Sequence, residues 1–133
     1  MILLDTHALL WLLQTDGGRL TRAAYAAIGA EMAGGLVSVS AISAWEIALL
    51  VAKGRLALGT DVSAWLTKVM AHPSIRFVSV SPEIAIGAVN LPGSFHADPA
   101  DRIIVATARL LGLTLVTADP KILAYPHVLS LPA

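Results

Sequence analysis

The chain has 133 residues, 56% of them hydrophobic and only 14% charged, against a usual ~25% charged in soluble domains. That apolar excess excludes disorder, because burial can offset the ordering entropy. Nine basic and nine acidic residues cancel, which leaves any nucleic-acid contact to a local patch rather than to net charge. Cysteine is absent, so disulfide scaffolds, thiolate metal sites and cysteine catalysis are excluded.

In chain order, Ile2–Leu4 is a short apolar run ending at Asp5 and predicts a buried strand. Thr6 to about Gln14 follows with helical spacing through Leu9, Leu10, Trp11 and Leu13. Asp16-Gly17-Gly18 predicts a turn, and Thr21 caps an Ala-rich helix running to about Ala33. Leu36 to Val39 predicts the second strand. Ser40 or Ser43 then opens a helix running to Lys53, stopped by Gly54. Asp61 starts a helix reaching about Ala71; Arg76–Val80 alternates as a third strand; Ser81-Pro82-Glu83 opens a short helix. A helix over Pro99–Leu111, a fourth strand over Leu113–Thr117, a short helix from Asp119-Pro120 and a short fifth strand at Val128–Leu129 complete the chain.

No repeat or linker divides this pattern, so residues 1–133 are expected to form one domain. Charge-free stretches such as Met32–Trp45 and Ile84–Ala97 fall short of the ~18–20 residues of a spanning helix and contain glycine or proline. The N-terminus has no basic region and meets Asp5 early, unlike a signal peptide. No membrane association is expected, and a reducing cytoplasm is the expected compartment. Short apolar strands alternating with helices predict an α/β fold with a short, mostly parallel central sheet of four to five strands, covered on both faces. Such sheets place ligands beyond the carboxyl ends of their strands.

Acids gather where that rule points. Asp5 follows the first strand, Asp119 the fourth, and Asp98 and Asp101 open the helix ahead of the fourth. Each also has a plain structural reading: Asp5, Asp98 and Asp119 suit helix N-caps, the last two with proline at the favoured first position, and Asp101 suits the helix dipole. Glu46 does not. It lies mid-helix among Ile42, Ile47, Leu49 and Leu50, with no basic residue three or four positions away. A buried carboxylate needs a charge partner or a raised pKa. Together the acids favour an oxygen-lined Mg²⁺ or Mn²⁺ site over zinc, and such ions serve phosphoryl chemistry.

The residues Leu3–Trp11 (LLDTHALLW), Ser40–Leu56 (SAISAWEIALLVAKGRL) and His96–Ile122 (HADPADRIIVATARLLGLTLVTADPKI) resemble, in family order and over nearly the whole chain, the PIN-domain ribonucleases, specifically VapC-like toxins of type II toxin–antitoxin pairs. The resemblance implies a three-layer PIN-like nuclease domain. It also implies an acidic quartet at the sheet's carboxyl edge, with Asp5, Glu46, Asp101 and Asp119 holding Mg²⁺ (or Mn²⁺) and Asp98 auxiliary or capping. The implied activity is endoribonucleolytic hydrolysis of RNA by a metal-activated water. The implied partners are a separate cognate antitoxin that covers the acids and a second copy of the chain in a homodimer, giving a heterotetramer or larger complex.

Lys53, Arg55, Arg102 and Lys121 are candidate RNA-phosphate contacts, with solvated side chains as the plain alternative. Thr6 and Thr117 are candidates for bonding metal waters or ligands. His7 and His96 are candidates for contacting phosphate or tuning a carboxylate, whereas His72 and His127 sit beside prolines and carry no signal. Trp11, Trp45 and Trp65 read most simply as core or interface aromatics. The helices Thr21–Ala33 and Ala41–Lys53 carry more apolar positions than one core-facing stripe requires, which suits an interface. The competing readings are a non-catalytic PIN-like protein-binding module, in which the acids are only caps, and a small-molecule phosphatase, for which no nucleophile motif beyond Asp5 is visible.

Overall fold

Short apolar runs become the strands of one sheet. In the computed structural model, which describes residues 1–15 and 17–133, these are β1 (Ile2–Leu4), β2 (Val37–Ser40), β3 (Ile75–Val78), β4 (Thr114–Thr117) and β5 (Ser130–Pro132). They lie in the order β3-β2-β1-β4-β5, and every neighbouring pair is parallel. The helices among the described residues are α1 (Thr6–Gln14), α2 (Arg22–Gly34), α3 (Ile42–Ala52), α4 (Val62–Met70), α5 (Pro82–Val89), α6 (Pro99–Leu111) and α7 (Pro120–Leu123). None is long and apolar enough to cross a membrane.

Side-chain alternation along the strands builds a core on each face of the sheet. Ile2 and Leu4 of β1 join Val37, Val39 and Val116 beneath α1, α2 and α4, while Leu3 joins Leu115 beneath α5 and α6. The central strands β1, β2 and β4 are therefore buried on both sides, as parallel sheets require. Helix α3 serves both layers: Ile47 enters the first core and Ile42 packs against the second. Its path brings mid-helix residues to the sheet's carboxyl edge.

Local chemistry fixes the helix starts. The side chains of Asp5, Thr21, Asp61, Ser81 and Asp98 each accept a bond from a backbone N–H in the first turn of the helix that follows. Helix α6 ends at Gly112 with φ 66°, a left-handed cap that glycine adopts without a Cβ penalty. Gly17 is required twice over: φ is 77°, and an added Cβ would stand 2.3 Å from the Tyr25 ring. Asp16, expected to open that turn, lies outside the described residues.

Several boundaries differ from the sequence reading. Strand β2 begins at Val37 because Leu36 is exposed, and it includes Ser40, whose register partner is Val78. Helix α3 has Ala41 at its N-cap; of the two serines expected to open it, Ser40 accepts the Ile42 N–H at 3.2 Å, while Ser43 is buried within the helix. Strand β3 spans Ile75–Val78, ahead of the expected Arg76–Val80. The fifth strand is two residues later than Val128–Leu129: the Leu115 N–H bonds the Leu129 carbonyl and the ladder then runs through Ser130–Pro132. A proline is tolerated there because β5 is an edge strand.

Leu115 is fully buried between β1 and β5. Truncation to alanine is expected to cost about 2–5 kcal/mol, read as a lower urea midpoint at unchanged slope. A shift under about 1 kcal/mol would contradict this packing.

Candidate active site

From β1 the chain winds outward through β2 and β3, and from β4 it winds the other way to β5. The switch point between β1 and β4 opens a crevice at the carboxyl edge of the sheet. Asp5 leaves β1 and Asp119 leaves β4 into that crevice, and α6 delivers Asp98 and Asp101 from its N-terminus. Glu46 arrives from α3. All five acids line one cavity of about 410 Å³, with His7 and Trp11 on its wall.

Four of the five carboxylates are held by named donors. Asp5 is buried; one oxygen accepts the Ala8 N–H at 2.8 Å and the other accepts the Thr117 hydroxyl. Thr117 also accepts the Asp119 N–H at 3.1 Å, so a single hydroxyl ties the two strand-end acids together. Asp119 accepts the Lys121 N–H at 2.8 Å and Asp98 accepts the Asp101 N–H at 3.1 Å. Glu46 accepts the Thr6 hydroxyl. Ser43 lies 2.8 Å from Thr6, and because the Thr6 proton is committed to Glu46, Ser43 donates in turn.

Thr6 and Thr117 thus bond the acids directly. The sequence reading misses Ser43 as a site residue; the signal is its position three residues before Glu46, on the same helix face. The cap readings of Asp5, Asp98 and Asp119 hold alongside their place in the cavity. Capping does not account for Glu46 or Asp101, neither of which caps a helix.

Among the described residues, His96, Asp101 and Asp119 form a group whose ligand atoms all lie within 4.8 Å of one another. His96 Nε2 stands 3.2 Å from an Asp101 oxygen, yet it is buried and without an aligned hydrogen-bond partner. An orphaned nitrogen facing two carboxylates, with Asp5 and Glu46 on the same cavity wall, suits one divalent cation with few protein ligands and retained waters. The tight group therefore includes an imidazole beside the expected acids.

Burial and mutual repulsion disturb the acids' titration. Burial pushes Asp101 up to about 7, with Asp98, Asp119, Glu46 and Asp5 adding repulsion. Burial also raises Asp5, against the Thr117 and Ala8 bonds, and raises Glu46, against the Thr6 bond.

The basic candidates divide. Lys53 and Arg55 are exposed beyond α3, and Arg55 lines a groove beside the acid cavity. Lys121 is exposed on α7, in a depression that also contains His96. Arg102 is not available as a phosphate contact in this arrangement. Its guanidinium donates to the carbonyls of Ala88, Phe95, His96 and Val89, at 2.8–3.2 Å. It clamps the segment carrying His96 against the end of α5. Trp65 packs against the core, while Trp45 is 57% exposed.

An acid-lined crevice at the switch point of a parallel sheet is the arrangement of a PIN domain, and the PIN-domain family model matches residues 2–128. The chain belongs to that family. It is 41% identical over 126 residues to Ribonuclease VapC22 of Mycobacterium tuberculosis (strain ATCC 25618 / H37Rv), covering 95% of this chain and 92% of the relative. Among solved structures, a toxin–antitoxin complex from Klebsiella pneumoniae matches with TM-score 0.67 and 26% identity over 99% of this chain and 97% of that one. VapBC2 of Rickettsia felis bound to a promoter DNA fragment matches with TM-score 0.71 over 98% of both chains; at 16% identity it speaks to the fold.

The raised Asp101 pKa sets a pH dependence. Between about pH 4 and pH 7 the folded chain holds a proton that the unfolded chain has released, so stability falls as pH rises through that window and levels off above it. Asp5 and Glu46 act in the same direction. In EDTA, the melting temperature is expected to drop from pH 5 to pH 8, and Asp101→Asn to flatten the drop and raise stability at pH 8. A melting temperature that climbs over that range would contradict the assignment.

Proposed function

We propose that the chain is a toxin-type endoribonuclease whose cavity of Asp5, Glu46, Asp101 and Asp119 works with Mg²⁺ or Mn²⁺ to hydrolyse RNA phosphodiester bonds, and that a separate antitoxin protein restrains it. The observation that carries this reading is the convergence of two non-capping acids, Glu46 and Asp101, with three capping ones on a single cavity. Identity of 41% to a ribonuclease over nearly the full length supports it. Asp98, exposed and committed to the Asp101 N–H, is an auxiliary acid.

When bound, a divalent ion supplies Lewis acidity that acidifies a water and offsets the charge developing on the phosphate. The protein's part is to hold acceptors in place. Asp5 and Asp119 are fixed relative to each other through Thr117. Glu46 is oriented by Thr6 at Oε1, and Oε2 has no hydrogen-bond partner among the described residues. On this reading that oxygen would accept the proton shed by an attacking water. Attack by water rather than by the ribose 2′-hydroxyl leaves 5′-phosphate and 3′-hydroxyl ends.

The exposed apolar surface fits a chain that works in complexes. Trp45 on α3, Tyr25 on α2, and Ile86, Val89 and Leu110 on α5 and α6 are each about half exposed or more. Such area suits a homodimer and an antitoxin segment that covers the acids.

Asp101→Asn is expected to abolish RNA cleavage and growth inhibition, and Asp98→Asn to reduce cleavage by roughly tenfold, about 1.4 kcal/mol. End-group analysis of the cleaved RNA and growth curves after induction read both. Equal abolition by the two variants would contradict the division of roles between Asp101 and Asp98, and 2′,3′-cyclic phosphate ends would contradict attack by water.

A further inference from the structure

Beside the acid cavity lies a second groove of about 230 Å³, lined by Leu10, Trp11, Gln14, Arg19, Leu50 and Arg55. It shares His7 and Trp11 with the acid cavity, so the two adjoin across α1. We infer that this groove is a subsite for single-stranded RNA flanking the scissile phosphate, with Trp11 as the stacking surface and Arg19 and Arg55 as phosphate contacts. The inference rests on the ribonuclease reading and adds to it the side from which the strand is held.

Charge supports this occupant. The cavity that must receive the scissile phosphate is ringed by five carboxylates, and a polyanion approaching it needs cations at the adjoining phosphates. Arg19 and Arg55 are the basic residues of the adjoining groove, both are exposed, and neither pairs with a carboxylate among the described residues. On the surface beyond Asp119, Lys121 is the one lysine or arginine among the residues lining its depression, and the Arg102 guanidinium is committed to carbonyls.

The aromatic geometry supports it as well. His7 and Trp11 are four residues apart on α1, their ring centroids 6.3 Å apart and tilted by 60°. Trp11 is half-buried against the core, which fixes the indole, and the Arg19 guanidinium sits 4.9 Å from its ring centroid. The guanidinium lies over the indole ring, so a base entering the groove would meet an indole and a guanidinium plane, the two kinds of surface on which unpaired bases stack without sequence being read. Gln14 donates to the Ala57 carbonyl at 3.2 Å, bracing the segment that carries Arg55 against α1.

The test is binding of a fluorescein-labelled 16-nucleotide single-stranded RNA of mixed sequence, followed by anisotropy from 50 to 300 mM KCl. Asp101→Asn protein, freed of any co-purifying partner, is used so that the probe stays intact. Adding Arg19→Gln and Arg55→Gln is expected to weaken binding about tenfold at 100 mM KCl. The salt slope should fall by about 1.4, because each phosphate neutralised on a single strand contributes ~0.7. The charge-retaining pair Arg19→Lys and Arg55→Lys should keep most of the slope, and unchanged melting temperatures confirm folding. Unchanged affinity and slope in the Gln pair would overturn the inference, as would loss of affinity for a co-purifying protein partner with RNA binding intact. If the unmodified chain cuts no RNA with Mg²⁺ or Mn²⁺, the ribonuclease reading fails; if it cuts RNA while the Gln pair binds normally, only the subsite fails.

Discussion

Asp5, Glu46, Asp98, Asp101 and Asp119 bring like charge into one cavity, and most of what is distinctive in this chain answers that repulsion. Ligand atoms of Asp101 and Asp119 lie within 4.8 Å of each other, where two full charges repel by roughly 3–4 kcal/mol at an effective dielectric of about 20. A capping bond contributes about 1 kcal/mol. Caps alone therefore cannot keep the group ionised. Burial first, and this repulsion second, raise the Asp101 pKa and favour its protonated form; a bound cation would offset both. On the proposed reading, a divalent ion and a partner's basic group would each relieve the same charge.

The fold offers what dipolar relief it can. The N-termini of α1 and α6 carry Asp5 and Asp98, so backbone N–H groups point at carboxylates. Thr6 and Thr117 add hydroxyl protons, and Ser43 supports Thr6 from beneath. These donors position oxygens without neutralising them. Charge-neutral donors around charged acceptors order the site without cancelling its charge, which on the proposed reading preorganises it for a cation.

Much of this is legible in the amino-acid sequence. Asp-Pro at the starts of α6 and α7 and glycine at the end of α6 carry their own capping chemistry, so those helices lie where the sequence places them. The acids at the strand ends follow from the parallel-sheet rule. What stays hidden depends on contacts across the fold. Arg102 looks like a phosphate contact because nothing local shows the Ala88 and Val89 carbonyls, 14 and 13 residues away, that consume it. Apolarity alone puts the fifth strand too early, at Val128-Leu129, while the ladder runs through a proline that only an edge position permits. His96 reaches Asp101 across a turn whose shape the sequence does not specify, and Arg19 reaches Trp11 from the following loop.

The most direct test of the central claim, that one cavity exchanges protons for a cation, is calorimetric titration of Mn²⁺ into the partner-free chain in buffers of different ionisation enthalpy. Dependence of the observed heat on buffer gives the protons released per ion. With Asp101 near 7, release should be close to one proton at pH 6 and fall steadily toward zero by about pH 8.5. Mn²⁺ binding with no proton release at pH 6, or no saturable binding at millimolar ion, would contradict the account.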